Sequence, residues 1–380
     1  MYLKSKSSVF FLAILLVMLG LFFISQLRTV LETGFDEKST RQELTIENTP
    51  SLPNQLLWSK MSQMSLDEKV GQLLIVGFEH DYVDDYIKIM ITNYHIGGVN
   101  LLKRNVKDKT QVKHLIENLQ AMSIIPLFVA TDQEGGDVSR FLFLKQLTPQ
   151  IKIVDDRQAE KIAFERATEL KDLGINMNFS PVLDYVSNSN SYLYSRTFGT
   201  KIEDIAELGE AMIVGYRSGG VIPVAKHFPG YGNLPLDPHT NKAVLVISDK
   251  ELEQNLIPFE KVVANSSTVA IMTAHISIPS VDTKPATLSS KFLDEILRKR
   301  FGFKGVIITD DIEMISAGNS IEEIAIEAIK AGVDMIISTY APEKQIRIFN
   351  ALKVAVLDGK IKEERIDESV ARILELKSLD

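Results

Sequence analysis

Asp132, Asp184, Lys226 with His227, His275, and Asp310 with Asp311 each stand at or just past the end of a short apolar run. Carboxylates can hold hydroxyls or attack as nucleophiles, and a histidine with an ordinary pKa of about 6.5 can donate and accept protons near neutrality. One polar residue after an apolar run is an ordinary loop residue. Five runs ending in this way point to a shared site. Asp310 and Asp311 compete for one role, because adjacent residues on an extended chain point in opposite directions. Asp310 directly follows the run Gly305 to Thr309, and Asp311 can equally be a helix cap before Ile312. The Asp and His types could ligate a metal, but no metal-ligand spacing is present, so neither metal nor cofactor is expected.

The runs themselves are Gly71 to Phe78, Gly97 to Leu102, Pro126 to Thr131, Asn176 to Ser180, Val221 to Lys226, Val269 to Ala274, Gly305 to Thr309 and Met335 to Thr339. Most are nearly continuously apolar, as expected for strands buried on both faces. Helices are predicted between them. Ser65 and Glu68 form a capping box for a short first helix. Glu160 to Leu173, Ile202 to Tyr216, Asp249 to Ala264, Ser289 to Phe301 and Ser320 to Ala331 carry apolar residues at helical spacing. Gly174, Gly302 and Gly332 stand where helices should stop. Eight strand-helix alternations predict a (β/α)8 TIM barrel, with an open doubly wound sheet as the other solution. In a barrel all eight strand ends converge on one mouth, which is where active sites lie.

The apolar fraction of 45% in 380 residues is ample for one large core. A net charge of -8 argues against a nucleic-acid partner, which needs clustered Lys and Arg. The absence of cysteine excludes disulfides and thiolate chemistry. Residues 1–28 read as a signal anchor: Lys4 and Lys6 precede an apolar run from Val9 to Ile24, and no small-x-small cleavage pattern follows. The polar stretch 29–51 reads as a linker, and 52–380 as the folded domain. The basic flank places that domain outside the cytoplasmic membrane, either tethered or, if the segment is cleaved, secreted or periplasmic.

Three strings carry a resemblance: Lys226-His227-Phe228-Pro229-Gly230-Tyr231-Gly232 with Asp237-Pro238-His239, Thr309-Asp310-Asp311-Ile312-Glu313-Met314, and Asp132-Gln133-Glu134-Gly135-Gly136 with Arg140. In this order they resemble glycoside hydrolase family 3, in its β-N-acetylglucosaminidase branch, whose fold is a (β/α)8 barrel. The resemblance runs from about Leu57 to Lys377 and takes in Val70 to Leu74, the stretch Leu173 to Asp184, and Met272 to His275. It implies Asp310 as nucleophile, with Asp237 and His239 as an acid/base pair on a loop. It further implies Asp132, Arg140, Arg196, Lys226 and His227 as contacts to the sugar. Asp184 and His275 are left open between sugar contact and support; Glu134 is expected to anchor the Gly135-Gly136 turn, and Glu313 to lie on the helix after Asp310.

The implied activity is retaining exo-hydrolysis of terminal β-linked N-acetylglucosamine, with peptidoglycan fragments as the expected carbohydrate partner. Alternatives are a β-glucosidase or β-xylosidase, a phosphorolytic member of the family, and a catalytically dead wall-binding protein. The Asp-x-His loop weighs against the glucosidase branches, which usually carry a Glu acid/base in a further domain. The chain departs from the pattern at Tyr231, Asn233, Leu234, Pro235, Pro238 and Asp137, where the family usually has other residues. Pro238 restricts Asp237 to extended conformations. Asp137 removes a positive charge near the mouth, which puts an anionic aglycone in doubt.

Overall fold

The computed structural model describes residues 61–378 apart from 200, 235–242, 266–269 and 316–318. The segments read as anchor (1–28) and linker (29–51) lie outside the described residues, as do Asp237, Pro238 and His239. No helix among the described residues is long and apolar enough to cross a membrane.

The strands are β1 (Leu74–Val76), β2 (Gly98–Leu101), β3 (Phe128–Thr131), β4 (Met177–Asn178), β5 (Ile222–Pro223), β6 (Ala225–Phe228), β7 (Ala243–Val244), β8 (Ala270–Thr273), β9 (Ile276–Ile278), β10 (Asp282–Pro285), β11 (Val306–Asp311) and β12 (Met335–Ser338). Nine of them form one sheet in the order β5-β4-β3-β2-β1-β12-β11-β8-β6, with every pairing parallel. The two ends of that order, β5 and β6, are halves of one interrupted strand. The amide of Val224, between them, donates to both Asn178 and Ser180, at 3.0 and 3.1 Å. Beyond the break the pairing resumes one step further along, through a bridge between Val182 and Lys226. The sheet therefore closes on itself as eight staves. Its strands are filled by Val, Ile, Leu, Met and Phe side chains that are buried throughout.

Two predicted strands need correction. Val221 to Lys226 is not continuous, for the reason just given. The run beginning at Gly71 is helical as far as Gln72, in the helix Leu66–Gln72, which the Ser65–Glu68 capping box starts as predicted. A Cβ on Gly71 would lie 2.0 Å from the carbonyl of Tyr94, so the helix packs directly on that turn. Apolar periodicity alone does not separate a buried helix end from a buried strand start.

The outer helices Asp156–Leu173, Ile202–Ser218, Asp249–Ala264 and Ile321–Ala331 follow the predicted spacing. The segment Lys291–Arg300 is a helix too, but one wound with i→i+5 bonds. Asp85–Thr92, Lys109–Ala121, Pro342–Leu357 and Glu363–Lys377 fill the other gaps. Gly174 ends its helix in the left-handed region (φ 92°), where a side chain would be strained. A small sheet, β10-β9-β7, sits outside the barrel and is not among the predicted strands.

At the base of the barrel, where the strands begin, Asp334 is fully buried just before β12. It accepts from Arg298 (2.6 Å), Arg372 (2.9 Å), the Ser369 hydroxyl (2.8 Å) and the Ile307 amide (2.9 Å), with Arg365 at 3.5 Å. Arg298 and Arg365 also donate to backbone carbonyls at Phe303, Gly305 and Val333. One carboxylate thus ties the last helix to two strand starts. Burial and the two neighbouring arginines, against the pull of Asp334, bring the Arg298 pKa down to about 10.

Candidate active site

At the opposite end a cavity of about 170 Å3 opens among the strand ends. That is below the roughly 300–1,000 Å3 of pockets that enclose drug-sized ligands, and suits a single ring. It is lined by Asn100, Asp132, Arg140, Arg196, Lys226, His227, Asp310 and Asp311, with Leu102, Val138, Phe179, Met272, Met314, Ile337, Thr339 and Tyr340. The structure therefore gathers Asp132, Arg140, Arg196, Lys226, His227 and Asp310 at one place. Asp237 and His239 are outside the described residues.

A chain of charges forms one wall. Lys226, at 2% exposure, donates to Asp132 at 2.8 Å and is 2.6 Å from Glu134. Arg196 grips Glu134 with two nitrogens, at 2.9 and 2.7 Å. Such paired, charge-assisted bonds are stronger and more directional than neutral ones. Arg140 closes the row on Asp132 at 3.3 Å. Burial disfavours ionisation of both carboxylates, but the cations outweigh it. Lys226 and Arg140 hold Asp132 well below the usual range, and Arg196 with Lys226 brings Glu134 down to about 2. Both acids are thus ionised at neutral pH. Glu134 is then not mainly a turn anchor, as expected from sequence; its carboxylate joins Lys226 to Arg196.

The loop that carries Arg140 back to Asp132 is tightly specified. Gly135 and Gly136 both take positive φ (93° and 61°), which side chains disfavour. The side-chain oxygen of Gln133 accepts from the amides of Arg140 (2.8 Å) and Phe141 (3.1 Å). Arg166, fully buried, donates to the carbonyls of Glu134 and Thr148, both at 2.7 Å. It lies on the otherwise apolar face of its helix, between Ile162, Ala163, Ala167 and Leu170. A charge at such a position is the signal by which the sequence could have marked it.

Asp184 and His275, left open by sequence, both support. Asp184 accepts from the His227 ring at 2.7 Å, from its amide at 3.1 Å, and from the Tyr231 amide at 2.7 Å. His227 is thereby aimed. His275 sets its ring between the Thr287 hydroxyl (2.8 Å) and the carbonyl of Asp311 (3.0 Å), bracing the end of β11. Tyr231 lies buried against the His227 ring and accepts from the His275 amide at 3.2 Å. This departure from the family pattern belongs to the frame rather than the cavity lining. Asn233 accepts from the amides of Ser187 and Asn188, both at 2.8 Å, and so ties down the chain just before residue 235.

β11 runs on through both aspartates, so they do alternate. Asp311 is buried, with one oxygen on the amide and hydroxyl of Thr339 and the other on the Glu313 amide. Burial raises its pKa to about 7, despite those bonds. Asp310 is partly exposed and lines the cavity, and one of its oxygens accepts from the Asp311 amide at 2.8 Å. Glu313 lies on the short 3-10 helix Ile312–Ile315 that follows the two aspartates, and its carboxylate accepts from Ser338, Tyr340 and Ala341. Among the described residues no group of three His, Asp or Glu side chains is arranged to hold a metal ion.

This arrangement can hold a hydroxyl-rich ring by ionised acids and cations while presenting one carboxylate to it. Known proteins resemble the chain in sequence and in fold. A β-hexosaminidase of Nitrosomonas eutropha is 31% identical over 309 residues, covering 77% of this chain and 88% of that protein. A glycoside hydrolase family 3 β-N-acetylglucosaminidase from Paenibacillus sp. str. FPU-7 superposes with TM-score 0.80 at 36% identity over 83% of this chain; the chain spans 62% of that structure's length. A β-N-acetylhexosaminidase from Beutenbergia cavernae gives TM-score 0.77 at 27% identity, covering 83% of this chain and 99% of that one. The family described as Glycosyl hydrolase family 3 N terminal domain matches residues 65–376. With that match over most of its length, the chain belongs to glycoside hydrolase family 3 and is a glycoside hydrolase.

Proposed function

We propose that this enzyme removes terminal β-linked N-acetylglucosamine by a retaining, two-step mechanism, with Asp310 as nucleophile. The observation that carries the reading is the division of labour between the paired aspartates. Asp311 is locked to Thr339 and Glu313, whereas Asp310 lines the cavity. Retention needs a carboxylate that attacks the anomeric carbon to give a glycosyl ester, which water then cleaves. Asp132, Lys226, His227, Arg140 and Arg196 hold the ring. Asp237 and His239 are proposed to move the proton: the imidazolium donates to the leaving oxygen, and the imidazole then deprotonates water. Relatives named β-hexosaminidase and β-N-acetylglucosaminidase support the substrate class.

We further propose that the natural substrate is a peptidoglycan fragment and that residues 1–28 anchor the domain outside the cytoplasmic membrane. The apolar run Val9 to Ile24 behind Lys4 and Lys6 supports the latter. Hydrolysis of 4-nitrophenyl β-N-acetylglucosaminide, compared with the β-glucoside, tests the reading. Preference for the acetamido sugar is expected, and preference for the glucoside would overturn it. Separation of membrane from soluble protein tests the anchor.

A further inference from the structure

Asn100 is the third residue of β2, inside an otherwise apolar run, and is 4% exposed. It lines the cavity, yet its side-chain carbonyl oxygen has no hydrogen-bond partner among the described residues. A buried acceptor left unpaired lowers stability, and proteins rarely retain one without a use. The buried Nε of Arg140, also lining the cavity, is unpaired in the same way, but it is a donor. A hydroxyl is the group that can both donate and accept.

The strand order fixes which part of a sugar Asn100 can meet. β2 is separated from β11 by β1 and β12, three steps around a ring of eight staves. Asp310 stands on β11 and, on the functional reading above, addresses the anomeric carbon. Asn100 stands nearly across the mouth, beside the stave that leads to Asp132. In a pyranose the carbon opposite C1 is C4, which also neighbours the C6 branch. The ring oxygen and the acetyl carbonyl have no hydrogen to donate, and the acetamido N–H lies on C2, beside C1. Of the remaining hydroxyls, on C3, C4 and C6, the last two stand furthest from C1.

We propose that Asn100 is a sugar-contacting residue that accepts a hydrogen bond from the C4 or C6 hydroxyl and so reads the edge of the ring remote from the scissile bond. This rests on Asp310 facing C1. It makes Asn100 a determinant of which hexosamine is accepted, a role distinct from the ionised wall formed by Asp132, Lys226 and Arg140.

The test is Asn100→Leu, with Asn100→Ala as the second variant should leucine not fit. Three 4-nitrophenyl substrates are compared: the β-N-acetylglucosaminide, its C4 epimer and its 6-deoxy analogue. Wild-type protein is expected to disfavour at least one analogue. In the variant, kcat/KM for the parent should fall about three- to tenfold, the worth of one neutral hydrogen bond. The penalty on that analogue should shrink by the same factor. The melting temperature should hold or rise, because an unpaired buried amide has been removed. Unchanged ratios among the three substrates, with or without a loss of stability, would overturn the assignment of Asn100 alone. A wild-type protein inactive on all three would sink the functional reading and this proposal with it.

Discussion

The two ends of this barrel each bury a cluster of opposite charges, and they are built to different rules. At the base, Asp334 takes bonds from arginines, a hydroxyl and an amide, and two of those arginines spend further donors on backbone carbonyls. At the mouth, Asp132, Glu134, Arg140, Arg196 and Lys226 also pair, but Arg140 and Asn100 keep buried polar atoms unpaired beside a cavity. A saturated cluster fixes elements. An unsaturated one is prepared for something else to complete it. Both clusters are buried and charged, so burial and charge do not distinguish stability from binding; the unpaired atoms do.

The largest effect should come from the base. Asp334→Ala strands three guanidinium groups and is expected to cost about 3–5 kcal/mol of stability, the usual penalty for breaking a buried ion pair. Urea unfolding reads that loss, and turnover per folded molecule should stay at the wild-type level. A fall in turnover of the folded fraction would blur the contrast between the two ends. Next, Arg140→Ala at the mouth should lower kcat/KM about 10- to 100-fold, the worth of one charged hydrogen bond. Stability should change by no more than about 1 kcal/mol, because the Arg140 side chain is partly exposed and its one carboxylate contact is long. Loss of folding without loss of activity would reverse the assignment.

A further set of effects depends on pH, and the two ends should run in opposite directions. Asp311 has its folded pKa raised to about 7 by burial. Its unfolded value lies near 3.9, so the native state binds the proton more tightly. Its contribution is full below about pH 4, is lost as pH rises through 7, and is flat beyond. Asp311→Asn should flatten that limb. Lys377, at the base, donates to Gln72 (2.8 Å) and the Gly97 carbonyl (2.9 Å) over the Phe128 ring. Burial brings its pKa down to about 7, against about 10.4 when unfolded. The unfolded chain then holds the proton more tightly, so stability should rise between about pH 7 and pH 10. Lys377→Met should flatten this second limb. Urea midpoints measured from pH 4 to pH 10 check both, and slopes of the wrong sign at either end would refute the assigned burial.

Much of the mouth is legible in the residue order, because its side chains follow apolar runs that only a buried strand explains. Asp132, Lys226, His227 and Asp310 are placed by that pattern alone. Glu134 is not, since its partners Lys226 and Arg196 come from elements far along the chain; Arg166 is marked only by its charge on an apolar helix face. Asn100 carries a local sign, a lone amide inside the run Gly97 to Leu102, which reads as strand tolerance until the cavity is seen. At the base, Asp334 has the look of a loop residue. Its three arginines come from two helices and are brought together only by closure of the barrel. Strand limits fail where tertiary packing overrides periodicity, at the helical Gly71 and Gln72 and at the break around Val224.

Asp310 is proposed as the group that attacks the sugar. Incubation with an activated 5-fluoro N-acetylglucosaminyl donor, followed by proteolysis and mass spectrometry, tests it most directly. A glycosyl adduct is expected on the peptide bearing Asp310, absent from Asp310→Ala, with turnover of that variant lowered at least ~10³-fold. An adduct on Asp311, or full turnover by Asp310→Ala, would contradict it.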